Sequence, residues 1–130
     1  MPTMEAIGSF NGLVIDGADT FALAGFWSAL MGTEIDEVAN DGHYIDLQAT
    51  DRIPVLRFQR VPERKTLKNR LHLDIEVEDL SGSIARVREL GGSIVRNVRT
   101  EYGWDYAVLA DPEGNEFCAI KRSTARSPGN

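Results

Sequence analysis

The side chains best suited to chemistry lie mostly in the second half of this sequence. His72 and Asp74 stand two apart in a stretch where Leu71, Leu73, Ile75 and Val77 alternate with polar residues. In a strand, residues two apart share a face, so an imidazole and a carboxylate project together. Asp16 could occupy the equivalent face of an earlier strand. Glu116 and Cys118 repeat the two-residue spacing further on. Two acids and one imidazole make a poor transition-metal site without a preset third ligand. Cys118 has no adjacent base in the sequence, which argues against a nucleophilic thiol, but it could face a ligand from the same side as Glu116. Trp104, beside Tyr102 and Gly103, could stack on a ligand or simply pack its loop. Arg57 could offer a guanidinium to an anion or pair with a surface acid. Glu76 reads as solvated strand face, and His43, after a turn, as surface.

These residues need strands to hold them, and the chain repeats its elements. A shift of sixty positions brings Leu13 onto Leu73, Ile15 onto Ile75, Asp19 onto Asp79, Leu30 onto Leu90 and Gly32 onto Gly92, without a gap. In each half a β-like run (Leu13–Asp16; Leu71–Val77) leads to an Asp suited to cap a helix. An apolar stripe at helical spacing follows: Leu23, Phe26, Trp27, Leu30, then Leu80, Ile84, Val87, Leu90. Glycine ends each helix, at Gly32 and at Gly91-Gly92. Three shorter strands come next, predicted at Glu34–Ala39, His43–Leu47 and Pro54–Arg60, then at Ser93–Val98, Asp105–Ala110 and Glu116–Lys121. Asn40-Asp41-Gly42 and Asp111-Pro112-Glu113-Gly114-Asn115 are the turns. The expectation is an α+β chain of two tandem βαβββ modules, about 10–60 and 71–121, in one domain over 1–122. Their sheets would form a curved, partly open mixed barrel around a cavity. The polar stretch 123–130 reads as a disordered tail.

Composition sets outer limits. The 130 residues carry 14 Lys+Arg against 20 Asp+Glu, a net charge of −6. That balance opposes nucleic-acid binding, which needs a basic surface. One cysteine permits no intrachain disulfide and no Cys-rich zinc site. No apolar run approaches the roughly 20 residues that span a bilayer, and the first ten residues lack a signal-peptide pattern. A cytoplasmic protein with neither nucleic-acid nor membrane partner is expected.

Paired βαβββ modules resemble the vicinal oxygen chelate superfamily, which includes glyoxalase I, extradiol dioxygenases, fosfomycin-resistance enzymes and bleomycin-resistance proteins. The residues that carry the likeness are Asp19 through Phe26-Trp27 and Gly32, then Asn69-Arg70-Leu71-His72-Leu73-Asp74, then Asp111-Pro112-Glu113-Gly114-Asn115-Glu116-Phe117. They look like the glyoxalase-like branch, common in bacteria, over about Gly12 to Ile120. Such a fold hosts several chemistries.

The resemblance implies metal ligands on cavity strands. His72 matches the second-module His, and Glu116 the last-strand Glu. The first-strand position falls on Gly12, and the last strand of module one, Ile53–Arg60, holds no acid. The set is therefore incomplete, and a divalent metal (Zn, Ni, Fe or Mn) stays an open alternative to a His72–Glu116 hydrogen bond across neighbouring strands. Two functions follow. One is a lyase- or isomerase-type enzyme that moves a proton next to a carbonyl through His72 and Glu116, with Asp74, Trp104, Arg57 and Cys118 binding substrate. The other is a metal-independent small-molecule binder of the bleomycin-resistance type. Glutathione-dependent glyoxalase I activity is not expected. A homodimer is, because paired modules in this superfamily often build cavities between subunits.

Overall fold

The structure, a computed structural model, describes residues 6–123. The first module runs β1 (Leu13–Gly17), α1 (Thr20–Met31), β2 (Ile35–Ala39), β3 (Tyr44–Leu47) and β4 (Leu56–Arg60). The second runs β5 (Leu73–Glu76), α2 (Leu80–Glu89), β6 (Ser93–Glu101), β7 (Trp104–Ala110) and β8 (Glu116–Arg122). Strands and helices that correspond begin sixty positions apart at β1/β5 and α1/α2. Each module forms a four-stranded mixed sheet, in the orders β1-β4-β3-β2 and β5-β8-β7-β6. The first strand of each lies parallel to the last, and the other pairs are antiparallel. Among the described residues no strand pairing joins the two sheets, and both are open.

Local chemistry explains the helices. The carboxylates of Asp19 and Asp79 accept from Ala22 N and Gly82 N, each at 3.0 Å, and satisfy amides that the first helical turn leaves free. Gly32 ends α1 at φ 66, a left-handed conformation that glycine adopts without a Cβ penalty.

Three strand boundaries differ from expectation by two or more residues, and one of them is the start of β4, at Leu56 rather than Pro54. The strand predicted over Leu71–Val77 starts only at Leu73, and Leu71 is exposed. β6 continues past Val98 to Glu101, because Tyr102 (φ 52) and Gly103 (φ 83) make a tight turn that extends the β6–β7 ladder. Of the predicted tail, residues 124–130 lie outside the described residues. No helix among the described residues is long and apolar enough to cross a membrane.

One apolar core serves both modules. It combines Leu23, Phe26, Trp27, Ile45, Leu56 and Phe58 with Val87, Leu109, Phe117 and Ala119. Trp27 and Phe117 place their ring centroids 4.9 Å apart across the joint. The 111–115 turn then ties the modules together. Buried Asp111 accepts from Trp27 Nε1 at 3.0 Å. The Glu113 carboxylate accepts from Ala18 N at 2.9 Å and Asp19 N at 3.2 Å, at the start of α1. Asn115 Nδ2 donates to the Asp16 carbonyl at 3.3 Å.

Candidate functional site

Each sheet turns alternate residues to the core, and among the described residues no helix packs on its other face. In the second sheet Leu73 pairs with Phe117 and Asp74 with Cys118. Leu73, Ile75 and Phe117 belong to the core, which puts Asp74, Glu116 and Cys118 on the open side. His72, just before β5, joins them. Its Nε2 stands 3.3 Å from Asp74 Oδ1, and both side chains are 53% exposed. A ligand atom from each of His72, Asp74 and Cys118 lies within 4.8 Å of the others.

Cys118 is buried. Burial pushes its thiol up from the ordinary range, and the charges of Asp74 and Glu116, with a hydrogen bond to Asp74, push the same way. Glu116 itself turns to Lys65, whose Nζ lies 3.7 Å from Oε2. Asn69 Nδ2 donates to the Glu116 carbonyl at 3.1 Å. In place of the alternative His72–Glu116 hydrogen bond, His72 lies against Asp74 and Glu116 is ion-paired with Lys65. Asp74 reaches the imidazole from the same strand face, and Lys65 reaches the glutamate from the joint between modules.

His72, Glu116 and Cys118 still line one cavity of about 330 Å³, together with Asn69, Tyr106 and Val108. A neighbouring cleft of about 390 Å³ shares Asn69, His72 and Glu116 and extends to Asp16 on β1. Strand alternation could have found Tyr106 and Val108, which have the parity of Trp104 on β7. Lys65 sits in an irregular segment with no periodic signal.

The other two sequence candidates lie elsewhere. Arg57 is on the uncovered face of the first sheet, where its Nε and Nη2 donate to the Asp46 carboxylate at 2.7 and 2.9 Å. That hydrogen bonding, and then the Asp46 charge, raise the guanidinium's pKa above its ordinary value. It lines a separate hollow with Glu37, Ala39, Tyr44 and Asp46. Trp104 opens β7 with the Arg122 guanidinium stacked 4.3 Å from its ring centroid.

The ligand set implied by the resemblance does not fit a metal here. A Cβ on Gly12 would come within 2.7 Å of the Val55 carbonyl oxygen, so that position is closed to any side chain unless the backbone moves. β4 offers Arg57, a cation already paired. Glu116 is paired with Lys65.

The family model for the glyoxalase-like domain matches residues 12–120. The chain belongs to the glyoxalase-like domain family. Its solved neighbours agree on the fold. A glyoxalase/bleomycin resistance protein/dioxygenase family enzyme from Burkholderia phytofirmans PsJN is 18% identical, with a TM-score of 0.72, over 87% of this chain and 98% of that one. The fosfomycin resistance protein FosX from Listeria monocytogenes is 9% identical at a TM-score of 0.72, over 92% of this chain and 97% of its own. FosX from Mesorhizobium loti is 12% identical at 0.69, over 92% and 96%. A comparison with curated proteins returned no match. At these identities the glyoxalase-like fold is shared, and the chemistry rests on this chain's own residues.

Proposed function

We propose that this glyoxalase-like protein binds a small organic molecule against the uncovered face of its second sheet, and that His72 and Glu116 act on it. The observation that carries the reading is the cavity of about 330 Å³ that these two residues share with Tyr106 and Val108. Small-molecule pockets run from roughly 300 to 1,000 Å³ and combine apolar walls with a few polar groups. The imidazole of His72, held by Asp74 at 3.3 Å, can pass a proton to or from a carbon beside a carbonyl. The Glu116 carboxylate offers a second acid–base group from the neighbouring strand. This is lyase- or isomerase-type chemistry. Neighbours named for resistance to fosfomycin and bleomycin support a small-molecule role.

A homodimer belongs to the same reading. Within one chain both sheets leave a face uncovered, and Arg57 lines a hollow apart from the His72 cavity. A second copy could lay its first sheet over that cavity and bring Arg57 to the ligand, with Trp104 at the rim. A cytoplasmic setting suits a lone, free, buried cysteine. Sequestration without turnover is the second reading, and the unfit ligand set around Gly12, Arg57 and Glu116 favours it.

A thermal-shift screen of small carbonyl compounds and antibiotics on the wild type, His72→Ala and Glu116→Ala tests both. The expected result is a ligand whose binding or turnover both variants lose, with His72→Ala keeping its midpoint because the side chain is half-exposed. Unchanged ligand behaviour in both variants would overturn the site. Binding without product would select sequestration.

A further inference from the structure

We propose that His72, Asp74 and Cys118 form a three-ligand site for a zinc-class divalent cation, distinct from the ligand set that the fold implies. The argument starts from donor types. An imidazole nitrogen, a carboxylate oxygen and a thiol sulfur are the three ligand kinds that zinc accepts, and three protein ligands with one open position is the usual arrangement of a reactive site. Ligand atoms about 2.0–2.3 Å from a tetrahedral ion stand roughly 3.3–3.6 Å apart. His72 Nε2 and Asp74 Oδ1 are already 3.3 Å apart, and the three donors all fall within 4.8 Å. Two of the side chains are half-exposed and free to adjust their rotamers around the third, which the strand ladder holds beside Asp74.

Charge supports the same site. A divalent ion balances one carboxylate and one thiolate around a neutral imidazole. As the metal–sulfur bond forms, the thiol releases its proton to solvent, and no other bond changes. Glu116 stays outside the cluster with Lys65 as its partner. The fourth position would be left to water or to an oxygen of a ligand in the adjoining cavity. The inference goes beyond the small-molecule reading and does not depend on it, because a metal ion can bind with the cavity otherwise empty.

Cobalt(II) titration of the tag-free, chelator-treated protein under a phosphine reductant tests it. We expect one equivalent per chain, with a thiolate-to-cobalt charge-transfer band in the near ultraviolet that zinc abolishes on displacement. Cys118→Ser should remove the band. His72→Ala and Asp74→Asn should weaken uptake by about 100-fold or more, since even changes behind the ligands cost about 10–100-fold. Glu116→Gln should retain both band and stoichiometry. Circular dichroism on each variant confirms the fold, and neither exposed ligand supports the core. No uptake, uptake without a thiolate band, or loss of binding in Glu116→Gln with retention in Cys118→Ser would each overturn the proposal. A wild type that takes up cobalt but binds no small molecule would sink the functional reading and leave the metal site standing.

Discussion

Cys118 shows how a side chain's surroundings decide its reactivity. It lies on the same sheet face as Asp74 and Glu116, and burial together with those charges makes its thiolate unfavourable. The metal-free protein should therefore react slowly with iodoacetamide at pH 8, and urea should speed the reaction. Asp74→Asn removes the negative charge while keeping one acceptor oxygen, so it should accelerate alkylation of the folded protein; an unchanged rate would mean that access alone controls the thiol. The sign for stability follows. The unfolded thiol ionises in its ordinary range while the folded one holds its proton further up. Above the ordinary range the unfolded chain binds fewer protons, so stability falls as pH rises, until the folded thiol ionises too. The two-residue spacing of Glu116 and Cys118 places both on one face, and that much is legible in the sequence. The orientation of Gly12 against Val55 is not, because the close contact involves a residue 43 positions away (55 − 12).

At the scale of elements, the 111–115 turn does more than reverse the chain. Asp111 accepts from Trp27 Nε1, from Glu113 N at 2.9 Å, and from Asn115 N and Nδ2 at 3.0 Å each. All these donors would lose their partner in Asp111→Ala, and the indole nitrogen would be left in the core. A loss of about 3 kcal/mol is expected, since a buried polar group without a partner costs about 1–3 kcal/mol. Glu113→Ala should cost only about 1 kcal/mol, the size of a helix-cap loss, because water can reach the exposed amides of Ala18 and Asp19. Urea unfolding of the two variants checks the order; equal losses would mean that Asp111 is no more than a surface turn residue. The sequence marks this segment as a turn through Pro112 and Gly114. Its second role, fastening the end of β1 and the start of α1, depends on where the other module lies.

At the scale of the molecule, one core serves both modules while each sheet keeps an uncovered face. The sheets carry apolar residues outside that core as well: Val14 on β1, and Val95 and Val98 on the outer strand β6, are about half-exposed. A long edge strand with exposed β-branched residues is a ready pairing surface. Light scattering at tens of micromolar should give twice the mass of the chain. A monomer there would remove the homodimer, and with it the route by which Arg57 reaches the His72 cavity.

The repeated βαβββ order, the two Asp caps, the glycine stop of α1 and the split between core-facing and open-facing residues of β5 and β8 were all determined by the sequence alone. Each depends on periodicity, capping or turn chemistry within about a dozen residues. Tertiary structure alone decided two of the ion pairs. Glu116 pairs with Lys65 and Arg57 with Asp46, while the closeness of His72 to Asp74 follows from their two-residue spacing. Lys65 comes from an irregular stretch with no period, and Asp46 reaches Arg57 only through the β3–β4 register. Ion pairing depends on separations of a few ångströms between side-chain tips, and only the packed chain sets those distances.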